Sequence, residues 1–173
     1  MEAIKKVCFY GPESTGKSTM AKRMAELYKT EWVPEVSREF VSTNDFTIDD
    51  IINIGHAQTE RILEKTKTAN KILFCDTDLI TTQIYCRHYL KTVPPILFEL
   101  EKLIKYDLYF LFEPDVPWIA DGMRDLGESD KRKEMLVVFK SELDKRNINY
   151  VPVNGNWEER EAIIKREVGK LLI

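Results

Sequence analysis

Short apolar runs alternate with amphipathic stretches along the chain, a pattern typical of strands that are each followed by a helix. The apolar runs predict five strands, over residues 4–10, 31–36, 71–75, 107–112 and 149–153. Apolar positions three and four residues apart predict helices over residues 17–28, 47–70, 79–90, 94–105, 129–143 and 156–171. Because parallel strands are joined by crossover helices, the pattern predicts an α/β fold of three layers, with one parallel sheet between helices.

Local signals mark the ends of several predicted elements. Thr47 and Asp50 have the spacing of a capping box, and Ser129 and Asn156 are candidate N-caps of the last two helices. The stretch 115–128 contains proline and glycines among charged residues, which predicts a loop.

Composition is that of one ordinary folded domain. The chain has 173 residues, 43% of them apolar, with 26 Lys and Arg against 29 Asp and Glu. No apolar run approaches the roughly 18 residues that span a bilayer, and neither a secretory signal nor a basic block is visible. We therefore expect one cytoplasmic domain over residues 1–173, with no membrane or nucleic-acid partner. Without CxxC spacing, Cys8, Cys75 and Cys86 are expected to be reduced and buried.

A phosphate-binding motif lies between the first predicted strand and the first predicted helix. Residues 11–18 read Gly-Pro-Glu-Ser-Thr-Gly-Lys-Ser and fit GxxxxGK[ST], the Walker A pattern. The glycines let the backbone bend so that amide N–H groups point at a polyphosphate, and the helix adds its positive end. The expected nucleotide-binding residues here are Gly11, Glu13, Ser14, Thr15, Gly16, Lys17, Ser18 and Thr19.

Individual side chains of this motif have distinct expected roles. Lys17 reaches the β- and γ-phosphates, the Ser18 hydroxyl binds Mg²⁺, and Thr19 donates to the α-phosphate. Glu13 fits less well, because a carboxylate beside phosphates is repelled. We expect Glu13 to point outward, to a cationic side chain.

Polar residues follow the predicted strands at their carboxyl ends, where parallel sheets bind ligands. We expect these residues to share one edge of the sheet: Gly11, Glu35, Asp76, Glu113 and Asn154. Asp76 is the expected carboxylate that holds Mg²⁺ together with Ser18. Asp78 either faces the same site or caps the next helix.

Glu35 and Arg38 are candidate catalytic residues after the second predicted strand. Glu35 could accept the proton of a substrate hydroxyl or bind a diol, and Arg38 could offset charge on a transferred phosphoryl group. The alternative is a surface ion pair of Arg38 with Glu35 or Glu39, which would contribute little.

The loop at about 115–130 has the character of a lid that excludes water during phosphoryl transfer. Its glycines suit hinges, Trp118 could seal the site, and Arg124 could reach the transferred phosphoryl group. We expect Arg124 to be catalytic.

Further candidate residues could contact an adenine or a ring of the acceptor. Asn154 and Trp157 could frame an adenine at the end of the last strand. Tyr85, Tyr89 and Phe40 could stack on a ring of the acceptor, although Tyr85 and Tyr89 also have the spacing of core residues on a helix.

Motifs of other nucleotide-binding classes are missing from the sequence. A guanine-specific GTPase needs Asn-Lys-x-Asp, whereas Asn70-Lys71 is followed by Ile72-Leu73. A transporter ATPase carries Leu-Ser-Gly-Gly, and a ring-forming unfoldase needs a helical second domain for which 173 residues leave no room. Elimination leaves a compact kinase.

Four stretches carry a more specific pattern than the phosphate loop alone, at residues 9–18, 35–40, 74–83 and 118–127. The third contains Asp-Thr-Asp-x-x-Thr-Thr, and the fourth contains Asp-Gly-x-Arg. Together, in this order and over nearly the whole chain, they resemble the ribosylnicotinamide kinase domain of the NadR family of bacterial NAD regulators.

The resemblance implies ATP- and Mg²⁺-dependent phosphorylation of the ribose 5′-hydroxyl of nicotinamide riboside, a step of NAD biosynthesis that yields nicotinamide mononucleotide. In that family an adenylyltransferase domain commonly precedes the kinase. Because the chain begins at the kinase strand, we expect neither that activity nor DNA regulation from it.

We therefore expect a P-loop NTPase fold whose five-stranded sheet has the order 2-3-1-4-5, with ATP and Mg²⁺ as cofactors. The expected catalytic residues are Lys17, Glu35, Arg38, Asp76 and Arg124. Two alternatives stay open: a kinase of another nucleoside or small alcohol, and a regulatory switch that hydrolyses ATP slowly.

Overall fold

The computed structural model describes residues 2–115 and 129–173. Its strands are β1 (Lys5–Tyr10), β2 (Trp32–Val33), β3 (Ile72–Asp76), β4 (Leu108–Phe112) and β5 (Tyr150–Val153). Its helices are α1 (Lys17–Tyr28), α2 (Ser37–Phe40), α3 (Ile48–Thr68), α4 (Leu79–Leu90), α5 (Ile96–Glu101), α6 (Ser129–Lys145) and α7 (Trp157–Leu171). The strands pair in parallel in the order β2-β3-β1-β4-β5, which confirms the predicted topology.

The central strand shows why the fold has three layers. Successive side chains of a strand point to opposite faces of the sheet. Val7 and Phe9 of β1 lie in one core cluster with residues of α1 and α7. Cys8 and Tyr10 lie in another with residues of α4 and α6. Both faces of the sheet are therefore covered, as the near-continuous apolar strands predict.

Capping signals in the sequence are confirmed at two helices. The Thr47 hydroxyl accepts a hydrogen bond from the Asp50 amide at 3.2 Å, and the Asp50 carboxylate accepts one from the Thr47 amide at 2.8 Å. Asn156 and Glu159 make the same reciprocal pair at the start of α7. These bonds use amide donors that a helix start otherwise leaves unpaired.

Two predicted elements are shorter in the structure. β2 spans two residues where six were predicted, because Pro34 has no amide to donate to the ladder and the chain then turns into α2. α5 ends at Glu101, where it was predicted to reach residue 105. Beyond it, the amides of Leu103 and Ile104 bond carbonyls three residues back, which is the geometry of a tight turn.

The remaining predictions concern cysteines and membranes. Cys8, Cys75 and Cys86 are buried and form no disulfide, as predicted. Among the helices in the described ranges, none combines the length and the apolar content that crossing a membrane requires.

Candidate active site

A cleft of about 450 Å³ opens at the carboxyl edge of the sheet. The phosphate loop after β1, the turn after β2, the end of β3 and the first turn of α7 line one part of it. One face of α3 and one face of α4 line the other part. The cleft therefore lies where ligands bind in open parallel sheets, at the ends of β1 and its neighbour β3.

The backbone of the phosphate loop requires its two glycines. Gly11 has φ 139°, and a Cβ atom there would lie 2.6 Å from the carbonyl oxygen of Phe112. Gly16 has φ 89°, a left-handed conformation that side chains disfavour. Lys17, only 8% exposed, places its Nζ over the loop, where it donates to the carbonyl of Pro12 at 2.6 Å. The loop and its cation are thus held together before any phosphate binds.

Ser18 and Asp76 meet in the cleft, as the sequence predicts. The Ser18 hydroxyl donates to Oδ2 of Asp76, whose side chain is almost completely buried. Oδ1 of Asp76 has no hydrogen-bond partner among the described residues. A hydroxyl beside a buried, unsatisfied carboxylate oxygen is a fitting pair of ligands for Mg²⁺, which prefers oxygen.

The electrostatics around Asp76 place a second carboxylate nearby. Burial raises the pKa of Asp76 above its usual range, and the charge of Glu35 raises it further. Lys17, the Ser18 hydroxyl and Arg38 act in the opposite direction. These side chains therefore form one interacting group of charges.

The turn after β2 carries Glu35 and Arg38 into the cleft lining. Glu35 accepts a hydrogen bond from the Ser37 hydroxyl at 2.9 Å. Glu39 faces α3 and makes a two-fold ion pair with Arg61, at 2.7 and 2.9 Å. Of the carboxylates on this turn, Glu35 is thus the one at the site.

Asp78 takes the capping role that the sequence left open. It accepts hydrogen bonds from the Thr81 amide at 2.9 Å and the Thr81 hydroxyl at 3.0 Å, at the start of α4. The Tyr109 hydroxyl donates to its other oxygen at 2.9 Å. Burial raises the pKa of Asp78 to about 6, against these three hydrogen bonds. Asp78 is not among the described residues that line the cleft.

Several other predicted nucleotide-binding residues also line the cleft. Glu13, Ser14, Thr15 and Thr19 line the cleft. That the Glu13 side chain turns to a cationic partner stays a prediction. Trp157 lines the cleft as well, and a Cβ atom on Gly16 would lie 3.7 Å from its ring.

Asn154 is not among the described residues that line the cleft, and a second predicted group lies outside the described residues. The Asn154 side chain donates to the Glu113 carboxylate at 3.3 Å, at the shared edge of the sheet. Arg124, Trp118 and most of the predicted lid at 115–130 lie outside the described residues.

The part of the cleft lined by α3, α4 and the segment before α3 is apolar and aromatic. Its lining includes Val41, Phe46, Ile51, Ile54, Tyr85 and Tyr89. The rings of Tyr85 and Tyr89 are nearly parallel, with centroids 6.4 Å apart, and Phe46 meets Tyr89 edge-on at 5.5 Å. Phe40 is 43% exposed and is not among the described lining residues.

Arg160 is a site residue that the sequence analysis missed. Its guanidinium is buried and donates to the carbonyls of Gly155 at 2.9 Å, Thr15 at 3.0 Å and Glu113 at 3.0 Å, and it pairs with Asp115. It therefore links the phosphate loop to the ends of β4 and β5. The available signal was its spacing: it stands four and eight residues before two buried apolar residues of α7, Ile164 and Val168.

Comparison with known proteins agrees with this geometry. A family model described as an AAA domain, AAA_28, matches residues 6–160. The trifunctional NAD biosynthesis/regulator protein NadR of Escherichia coli (strain K12) is 35% identical over 158 residues, which cover 87% of this chain. The match covers 38% of that protein, so the chain spans about two fifths of the relative's length.

Solved structures share the fold. A crystal structure of NadR protein in complex with NR superposes with a TM-score of 0.83 at 23% identity, covering 98% of this chain and 52% of that one. Deoxyadenosine kinase from M. mycoides superposes with a TM-score of 0.67 at 11% identity, covering 95% of this chain and 99% of that one. With the family model matched over most of its length, the chain belongs to the AAA domain family of P-loop proteins.

Proposed function

We propose that this chain is an ATP- and Mg²⁺-dependent kinase that phosphorylates the ribose 5′-hydroxyl of nicotinamide riboside. The observation that carries the proposal is a single cleft in which the phosphate loop and the Ser18–Asp76 pair lie beside an aromatic and apolar half. The 35% identity to NadR and the fold shared with a NadR structure in complex with NR support this choice of acceptor.

The donor side of the cleft is suited to a nucleoside triphosphate. The backbone amides of residues 11–18 and the ammonium of Lys17 hold the phosphates, and Trp157 offers a ring beside the loop. Mg²⁺, when bound by Ser18 and Asp76, neutralises charge on the transferred phosphoryl group. Asn154 is proposed to frame the adenine from the same edge of the sheet.

Two carboxylates of the cleft lining, Glu35 and Asp76, are the candidates for the general base. Glu35 or Asp76 takes the proton of the acceptor hydroxyl, and Arg38 offsets charge on the migrating phosphoryl group. Arg124 is assigned the same role on the sequence alone. Because the transition state of phosphoryl transfer is loose, positioning and charge contribute more than the general base does.

The aromatic half suits the cationic pyridinium ring of nicotinamide riboside. Positive charge over the face of a Tyr or Phe ring is stabilised by about 0.5–2 kcal/mol. Phe46, Tyr85 and Tyr89 supply such rings.

We further propose that residues 1–173 act as one kinase domain in the cytoplasm, with a lid at about 115–130.

Acceptor-stimulated release of ADP tests the proposal. The protein is incubated with Mg-ATP and nicotinamide riboside, ordinary nucleosides, small alcohols or no acceptor, and both ADP and the phosphorylated product are measured. We expect nicotinamide riboside to stimulate ADP release with one nicotinamide mononucleotide formed per ADP, and EDTA to abolish the reaction. Stimulation by a different acceptor would replace the substrate. Slow release indifferent to every acceptor would refute the kinase and support the regulatory switch.

Lys17→Ala tests the donor side, with Lys22→Ala as its control. Both lysines lie on α1, but Lys17 is buried at the loop whereas Lys22 is exposed and is not among the described lining residues. We expect Lys17→Ala to lower kcat/KM about a thousandfold while the circular dichroism spectrum stays unchanged. Lys22→Ala should keep full activity. Full activity of folded Lys17→Ala would show that the loop does not hold the donor.

A further inference from the structure

One polar side chain interrupts the apolar wall that α3 presents to the cleft. Three described residues of α3 line the cleft: Ile51, Ile54 and Gln58. Their spacing of three and four residues puts them on one face of the helix. Gln58 is 2% exposed, so its amide is removed from bulk water.

The two ends of the Gln58 amide have different surroundings. Its Oε1 accepts a hydrogen bond from the Val36 amide at 3.2 Å. Its Nε2 is buried and has no hydrogen-bond partner among the described residues. Reversing the amide would set its NH₂ group against the Val36 N–H, so the observed orientation is the one that the donors and acceptors permit. The spare donor therefore belongs to Nε2.

An unpaired donor in a buried position is costly, because it has lost its hydrogen bonds to water and has gained none from the protein. Proteins rarely leave such groups unmatched, and a spare donor in the wall of a binding cleft is matched when a ligand supplies an acceptor. Nε2 can donate two hydrogen bonds and accepts none. The group it would meet is therefore an oxygen, or another acceptor atom, of the bound molecule.

The position of Gln58 puts this donor close to the reacting end of the acceptor. Gln58 accepts its hydrogen bond from Val36. Val36 lies between Glu35 and Ser37, and the Ser37 hydroxyl donates to the Glu35 carboxylate. Ile51 lies seven residues earlier on α3, about 10 Å along the helix axis. The α3 wall is therefore polar beside the candidate base and apolar farther along.

We propose that Gln58 is a specificity residue whose Nε2 donates a hydrogen bond to an uncharged oxygen of the acceptor nucleoside. This inference rests on the proposed function, in which the acceptor occupies this part of the cleft. The oxygen is the 2′- or 3′-hydroxyl of the ribose or the carboxamide carbonyl of nicotinamide riboside, positions with the same accepting chemistry. A ligand that presents a donor at this point is rejected, because both donors are then left unpaired.

Gln58→Met, combined with altered ligands, separates this contact from a structural effect. Methionine keeps the length of the side chain but removes both the donor and the acceptor. Calorimetry with Mg²⁺ and a non-hydrolysable ATP analogue measures binding of nicotinamide riboside, its 2′-deoxy and 3′-deoxy forms, and the pyridinium riboside without the carboxamide. Thr59→Val is the matched control, since Thr59 is the next residue, is buried, and bonds within α3 to the Gly55 carbonyl.

We expect Gln58→Met to weaken nicotinamide riboside about tenfold and to leave the affinity for the ATP analogue unchanged. One altered ligand should bind the wild type about tenfold more weakly than nicotinamide riboside, yet lose nothing more in Gln58→Met. Thr59→Val should bind every ligand as the wild type does. If Gln58→Met weakens all four ligands by the same factor, the side chain only supports the Val36 turn and the proposal is wrong.

Failure of the proposed function has a different result. If the wild type ignores nicotinamide riboside but phosphorylates another nucleoside of the panel, that nucleoside and its deoxy forms take its place, and the same comparison decides the role of Gln58. If no nucleoside binds, the acceptor site and the Gln58 contact are both refuted.

Discussion

Replacing Arg160 by methionine removes the buried cation that ties three loops of the active site together. Arg160 donates to carbonyl oxygens on the phosphate loop, after β4 and after β5, at 2.9–3.0 Å. Its guanidinium also lies 5.8 Å from the centroid of the Phe112 ring. Methionine fills much of the same volume but makes none of the hydrogen bonds.

The three hydrogen bonds set the size of the effect. A hydrogen bond to a charged group contributes about 1.5 kcal/mol at the low end, so three contribute about 4.5 kcal/mol. Part of this is offset, because the variant no longer buries a guanidinium. We expect Arg160→Met to lower the free energy of unfolding by about 3 kcal/mol, and therefore to lower Tm by about 6–12 °C in a chain of this length.

The same change should loosen the donor site. Thr15 belongs to the phosphate loop, and Gly155 is next to the first turn of α7, where Trp157 lies. Without the shared cation, the two segments lose their fixed separation, and we expect the Kd for Mg-ATP to rise about tenfold.

Calorimetric unfolding and ATP titration measure both effects, with Arg166→Met as the control. Arg166 lies on the same helix but is 62% exposed, and its partner is the adjacent Glu167. An exposed pair of this kind contributes little, so Arg166→Met should change the free energy of unfolding by less than about 0.5 kcal/mol. If Arg160→Met is as stable as Arg166→Met and binds ATP as tightly, the linking role of Arg160 is refuted.

Two further predictions concern buried groups near the site. Burial raises the pKa of Asp78 from 3.8 to about 6, so the folded protein keeps this proton at pH values where the unfolded chain has released it. Urea unfolding measures the free energy of unfolding of wild type and of Asp78→Asn from pH 4 to pH 7. Over this range the value for wild type should fall by about 2 kcal/mol relative to the variant. If the difference between the two proteins does not change with pH, this pKa is wrong. Gly55→Ala would place a Cβ atom 2.6 Å from Leu97, whereas Gly169→Ala meets nothing within 4 Å. We expect Gly55→Ala to lower the free energy of unfolding by about 1 kcal/mol and Gly169→Ala to raise it by about 0.5 kcal/mol. If Gly55→Ala is the more stable variant, α3 does not pack closely against α5 at this residue.

Local signals determined the parts of this protein that neighbouring residues specify. The phosphate loop is encoded in eight consecutive residues, and its glycines have the backbone angles that the motif requires. The capping box of α3 lies within four residues, and the sheet order followed once the strands and the resemblance were recognised. The pairing of Ser18 with Asp76 was predictable as well, because each residue ends or follows a strand at the same edge.

Contacts between distant residues decided the rest. Arg160 bonds the carbonyl of Thr15 across 145 positions, and nothing near Arg160 in the sequence names that partner. The sequence left two roles open for Asp78. In the structure the hydroxyl of Tyr109, 31 residues away, donates to the oxygen of Asp78 that does not cap α4. From the sequence alone, Gln58 is one polar residue on a helix. In the structure its Oε1 accepts a hydrogen bond from the Val36 amide. Periodicity tells which face of an element is buried, whereas the partner of a buried polar group depends on how the elements pack, and that is settled when the whole chain folds.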